Sequence, residues 1–173
     1  MTRIALPDPA VVLLVGPAGS GKSTLAGRLF APDEVLSSDA LREAIAGDAA
    51  DQRATGPAFR ALGRALERRL AAGLLTVVDA TNLLAADRRP WLAAARRHGV
   101  PVAAIVFDLP RDVIRSQNAG RARVVAEAVI DRHVGRLDGA LARGELAAEG
   151  IAPIVVLRSA EDARTLSIER IRG

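Results

Sequence analysis

The apolar run VVLLV (residues 11–15) passes directly into GPAGSGKS (residues 16–23), and no other feature constrains the chain as strongly. A continuous β-branched run of this length suits a strand buried on both faces, as parallel sheets provide. The octapeptide has the spacing Gly-x-x-x-x-Gly-Lys-Ser. Its glycines let successive backbone N–H groups turn inward around phosphate oxygens, and a helix starting at the end of the loop adds its positive dipole end. In this pattern Lys22 reaches the β- and γ-phosphates of ATP and Ser23 ligates Mg²⁺. Gly16, Pro17, Ala18, Gly19, Ser20, Gly21, Lys22, Ser23 and Thr24 are the expected nucleotide contacts. A plain Gly-rich turn would use the same glycines but would not need a buried strand before it and a helix after it.

Composition sharpens the reading of Lys22. It is the only lysine in the chain; every other basic side chain is arginine. A compact ammonium is thus placed at the one position where a phosphate calls for it. The formal charge of +4 permits an anionic partner, and arginine usage explains the basic balance better than any dense cluster does. With no cysteine, disulfides and thiolate metal sites are excluded. No stretch reaches the roughly 18 unbroken apolar residues of a membrane span. The opening MTRIALPDPA lacks a signal-peptide core, so the expected compartment is the cytoplasm.

Strands and helices alternate along what reads as a single domain over residues 1–173. Helix is expected over 23–30, a short strand over 34–36, and a helix through SSDALREAIAG with Ser38 or Asp39 as its cap. A polar loop (47–56) precedes a helix opened by Pro57 and closed near Gly73. Strands follow at 74–80, 100–109 and 153–157. The intervening helices are 87–98, 111–117 and a long one over 124–149, with a break at 118–123. This order predicts an α/β fold, a doubly wound parallel sheet with ligands beyond the carboxyl ends of its strands. Ser37 to Arg42, Asp79 to Asn82 and Arg158 all follow predicted strands, as the phosphate loop does.

Each of these segments has a chemical reading beside a plainer one. Asp39 and Arg42 lie three apart and share a helix face. A carboxylate there suits the proton of an attacking hydroxyl, and the planar Arg42 fork suits an acceptor phosphate. The same pair would also serve as a cap and a surface ion pair. Asp79, at the end of a buried strand, fits the carboxylate that orders Mg²⁺, or else caps the next helix. Arg121 and Arg123, in a Gly-containing break around 118–125, suit a small lid whose cations neutralise charge during transfer, with Arg121 the stronger candidate and Arg115 the next. Arg158 marks the loop where backbone groups would cradle adenine. His98, His133 and Trp91 read as structural or solvated, and Arg60, Arg64 and Arg68 as a solvated face.

In order, GPAGSGKST, VLSSDALR, DQRATGPAF, LTVVDATN and VFDLP resemble the 5′-kinase domain of bacterial polynucleotide kinase-phosphatases, over roughly residues 11–157. The block Asp51-Gln52-x-x-Thr55-Gly56-x-Ala58-Phe59 is the narrowest part of the likeness. The resemblance implies a P-loop NTPase fold of the adenylate-kinase-like type and transfer of the ATP γ-phosphate to the 5′-hydroxyl end of DNA or RNA. It assigns Lys22 and Ser23 to the donor phosphates and Mg²⁺, Asp39 to the general base, Arg42 to the acceptor phosphate and the Arg121 region to the lid. It also implies linked or associated phosphatase and ligase modules. Here Gln117 and Ala119-Gly120 interrupt the family's closely spaced lid arginines. A small-molecule kinase acting on a sugar or nucleotide sugar shares this scaffold, and so does a nucleotide-dependent switch. Aromatic residues are 2% of the chain, so a nucleic acid would be held mainly by arginine on phosphate.

Overall fold

The computed structural model describes residues 2–48 and 52–172. Its strands are β1 (Arg3–Asp8), β2 (Val11–Val15), β3 (Val35–Ser37), β4 (Thr76–Asp79), β5 (Val102–Phe107), β6 (Ile154–Leu157) and β7 (Ser167–Arg172). Its helices are α1 (Lys22–Leu29), α2 (Ser38–Ala46), α3 (Thr55–Ala71), α4 (Ala85–Arg97), α5 (Arg111–Ala119), α6 (Glu127–Ala142), α7 (Glu145–Ala148) and α8 (Ala160–Thr165). Five strands form a parallel sheet in the order β3-β4-β2-β5-β6. The expected α/β architecture is therefore present, with β2 at its centre. Asp79 stands in register with Leu14 of β2 and with Ser37 of β3, so the phosphate loop, Asp39 and Asp79 leave the sheet at one edge.

The strand period divides the core in two. Val11, Leu13 and Val15 face one layer with Leu62, Leu66 and Leu70, the i, i+4 stripe of α3. Val12 and Leu14 face the other, with Leu25, Phe30, Ile105, Phe107 and Ile130. All five residues of β2 are buried, which explains why the strand is apolar without alternation.

The fold departs from the sequence expectations at four places. The helix after the polar loop begins at Thr55, so Pro57 sits inside its first turn, where a missing N–H leaves nothing unpaired. Ser37, rather than Ser38 or Asp39, caps α2, its hydroxyl accepting from the Ala40 N–H at 3.3 Å. The long helix expected over 124–149 is two helices, separated at Gly144, whose φ of 61° is left-handed and ends a helix at little cost. Finally, β1 and β7 pair in parallel as a separate two-stranded sheet, with Ile4, Leu6 and Leu166 extending the second core layer. Among the described residues, no helix is long and apolar enough to cross a membrane.

Candidate active site

The loop between β2 and α1 is shaped by close packing. A Cβ placed on Gly16 would stand 2.8 Å from the Cβ of Phe107, so only glycine lets the loop leave the sheet there. Gly21, at φ 87°, is the left-handed residue that turns the chain into α1. The Gly16 N–H donates to the Thr81 carbonyl at 3.0 Å, tying the loop to the segment after β4. Ser20 Oγ, inside the loop, and Gln117 Oε1, 3.6 Å from where a Gly21 Cβ would lie, are buried without hydrogen-bond partners.

Lys22 is buried, and its ammonium donates to the carbonyls of Gly16 (3.0 Å) and Pro17 (2.6 Å). Burial lowers its pKa from 10.5 to about 8; nearby Asp79 works against that shift and Arg121 adds to it. Ser23 Oγ donates to Asp79 Oδ2 at 2.7 Å, bringing the hydroxyl and the buried carboxylate to one point. The described residues hold no cluster of three or more His, Cys, Asp or Glu side chains able to bind a metal. A hydroxyl plus one carboxylate suits Mg²⁺, which takes few protein ligands and keeps phosphate and water oxygens for the rest. Ser23 and Asp79 therefore fit that ion.

A cavity of about 1120 Å³ opens above the loop. On one side α2 contributes Ser38, Asp39 and Arg42, and α3 contributes Phe59. Arg42 donates to the Asp39 carboxylate in an ion pair. The Arg42 side chain is 16% exposed and that of Asp39 54%. Burial lowers the Arg42 pKa, and the charge of Arg123 lowers it further. Of the two arginines expected in the lid, the charge of Arg121 adds to the lowering at Lys22 and that of Arg123 to the lowering at Arg42.

A family model described as an AAA domain, AAA_33, matches residues 11–140. The chain belongs to that family. This AAA domain is similar to a chain of the Pnkp1/Rnl/Hen1 RNA repair complex, at 20% identity and TM-score 0.69, over 80% of this chain and 47% of that one. It therefore spans about half the length of the RNA-repair chain. It is also similar to a gluconokinase from Sinorhizobium meliloti 1021 (19% identity, TM-score 0.58, 92% and 87% covered) and to a sugar kinase from Janibacter sp. HTCC2649 (22%, 0.55, 87% and 85%). Among curated proteins, none matches this chain. The fold is that of P-loop kinases, a nucleotide-binding architecture.

Of the residues expected at the site of this AAA domain, Ala18 to Thr24, Asp39, Arg42, Asp79, Arg121 and Arg123 line the one cavity. Gly16 and Pro17 lie beneath it and offer their carbonyls to Lys22. Arg158 does not line it: its N–H donates to Asp162 (3.0 Å) and its guanidinium lies 3.6 Å from Asp108, while Ala163 and Arg164 face the cavity instead. Arg115 is also elsewhere, paired with Asp131 and Glu127 of α6. Asp51 lies outside the described residues. The segment expected as a lid, around 118–125, is tied across its two ends by buried Asn118, whose Nδ2 donates to the Val125 carbonyl (2.8 Å) and whose Oδ1 accepts the Val125 N–H (2.9 Å).

Sequence reasoning gave no site role to Phe59, Arg28, Arg132, His133, Arg136 or Arg164, all of which line the cavity. For the arginines no signal distinguished them in so arginine-rich a chain. Phe59 had a usable one, as the lone aromatic in its helix. Its ring stacks on Trp91 at 5.9 Å, and the Trp91 Nε1–H donates to Asn82 Oδ1 at 3.1 Å. Asn82, at φ 49°, also donates to the Leu14 carbonyl at 2.8 Å and accepts at its own carbonyl from buried Arg88 at 2.9 Å. Arg88 is in turn held by Glu149 and Glu145. The segment after Asp79 is thus braced against β2, α4 and α7 from within.

Proposed function

We propose that this chain is a cytoplasmic, Mg²⁺- and ATP-dependent polynucleotide 5′-hydroxyl kinase, acting on DNA or RNA ends. The observation that carries the reading is the Asp39–Arg42 pair, which lines one cavity with Lys22, Ser23 and Arg123. Asp39 is exposed enough to meet a substrate, while the Arg42 side chain is largely buried and braced.

ATP sits with its phosphates on the amides of residues 19–24, drawing the Lys22 ammonium away from the Gly16 and Pro17 carbonyls. Mg²⁺ held by Ser23 and Asp79 neutralises phosphate charge when bound. The first phosphate of the acceptor strand competes with Asp39 for the Arg42 fork and so frees the carboxylate. One helical turn, about 5 Å, separates those two residues, close to the spacing between a 5′-hydroxyl and the next phosphate. The hydroxyl oxygen bonds to the γ-phosphorus and its proton passes to Asp39. The bond from that phosphorus to the β–γ bridging oxygen breaks, and ADP leaves with the electron pair. Lys22 and Arg121 neutralise the charge that collects on the leaving oxygens. Phosphoryl transfer asks for positioning and charge neutralisation more than covalent help, and these residues supply both. The partners this reading implies are phosphatase and ligase modules, linked or associated.

A second reading is favoured by the two sugar kinases, whose likeness covers most of both chains. In it, the same base and fork act on a small hydroxyl substrate. The test is transfer of label from γ-labelled ATP to a panel of 5′-OH DNA, 5′-OH RNA, gluconate and a nucleotide sugar. Labelled oligonucleotide supports the polynucleotide reading; labelled gluconate or nucleotide sugar, with oligonucleotides ignored, replaces it with the second.

A further inference from the structure

One helix face in the cavity has no part in the chemistry above. Val129, Arg132, His133 and Arg136, spaced three and four apart on α6, all line it. Within that stripe, His133 makes a direct bond to the phosphate loop: its Nδ1 accepts the N–H of Ala18 at 3.2 Å.

We propose that His133 is a positioning residue for the donor nucleotide, holding the Ala18 amide with Nδ1 and turning an Nε2–H donor toward the phosphates. The inference rests on the reading of residues 16–23 as the ATP site, and it needs no particular acceptor.

A backbone N–H can only donate, so Nδ1 must carry a lone pair, and a neutral imidazole then has its proton on Nε2. Among the described residues nothing hydrogen-bonds to Nε2. The ring stays neutral because burial, then Lys22, Arg136 and Arg132, lower its pKa from 6.5 to about 4, against a small opposing effect of Asp87 from α4. Neutrality matters here. Arginine or lysine on α6 would offer a donor to phosphate but no acceptor for Ala18. A neutral His does both and adds no charge beside Lys22. It follows that bound phosphates, being negative, act on the ring opposite to Lys22 and the arginines.

The test is nucleotide binding by calorimetry, ATP and ADP separately, on wild type, His133→Leu and His133→Asn, with Tm measured alongside and ¹⁵N NMR of the wild-type ring. In Asn, Oδ1 stands the same number of bonds from Cα as Nδ1 does in His, so it accepts the Ala18 N–H. Expected are an Nε2–H ring in the free protein, about tenfold weaker binding of both nucleotides by His133→Leu, and a smaller loss of about threefold by His133→Asn, which keeps the acceptor for Ala18 and lacks the donor to phosphate. An Nδ1–H ring in the wild type overturns the proposal even where His133→Leu does not fold. So does unchanged affinity in His133→Leu, whether or not its Tm falls. Wild-type protein that binds neither nucleotide sinks the phosphate-loop reading itself, and this inference with it.

Discussion

Eight consecutive residues, 16–23, form the loop proposed to hold the donor, whereas the rest of the cavity wall is gathered from across the chain. Asp39 and Arg42 come from α2, Phe59 from α3, Asp79 from β4, and His133 from α6. The loop is closed on itself, with the Lys22 ammonium on its own carbonyls and Gly16 packed on Phe107. In the rest of the wall, side chains also hold one another, as in Asp39–Arg42 and Phe59–Trp91. The difference teaches where each part is vulnerable. A backbone cradle loses charge when one side chain is removed and keeps its shape. A wall of paired side chains loses geometry, and losses at Asp39 and Arg42 should fall on the acceptor.

The sharpest way to break this comparison is Lys22→Ala. Removing the ammonium should lower turnover by about 10² to 10³ while circular dichroism and Tm show an intact fold, since among the described residues Lys22 bonds to the loop's own carbonyls. A folded variant with near-normal turnover would mean the donor phosphates lie elsewhere. Asp39→Asn should lower kcat by about 10² to 10³, with ATP affinity unchanged by calorimetry, because the amide keeps the shape and cannot take a proton. Loss of ATP affinity with normal turnover at saturation would move Asp39 from the acceptor side to the metal.

The lid tests whether the two halves are distinct. Arg121→Ala should lower kcat by roughly 10- to 100-fold through the donor, and Arg123→Ala should act less and mainly on acceptor KM, following their separate influence on Lys22 and Arg42. Equal, mild effects on both constants would erase the division. Smaller again is Arg42→Ala, expected to raise acceptor KM about tenfold with little change in ATP use. It should also flatten the preference for a nucleoside 3′-monophosphate over a bare nucleoside. An undiminished preference would place the acceptor phosphate on another cation.

The smallest effect is a proton count. Folding lowers the Lys22 pKa from 10.5 to about 8, chiefly by burial. Between those values the unfolded chain holds a proton that the folded one has given up, so stability of the nucleotide-free protein rises with pH across that window. Bound phosphates favour the ammonium and reverse the shift. ATP binding at pH 9 should therefore take up a fraction of a proton, read from calorimetry in buffers of different ionisation heat. Zero uptake would show that Lys22 stays charged in the free protein.

The family and the loop proposed to hold the donor were legible in the sequence because their signals are contiguous. A buried strand, a glycine loop and a lone lysine stand side by side, and the α/β order follows from alternating apolar runs. The Asp39–Arg42 pair was legible for the same reason, since the two residues lie three apart on one helix. Distant pairings were not. β1 needs β7 to satisfy its backbone, and Ile4 meets Ile168 only once the core sheet has brought the two ends together. The break at Gly144 is carried by a single glycine in a helical pattern, and the α7 that follows is placed where Glu145 and Glu149 reach buried Arg88. His133 shows the limit most clearly. In the sequence it is one histidine on an amphipathic helix; the role proposed for it depends on which backbone N–H lies opposite. Ala18 is 115 residues away, and no local period records that distance. Local chemistry is written in neighbouring residues, but a wall made of several elements exists only after hydrophobic burial has fixed how those elements pack.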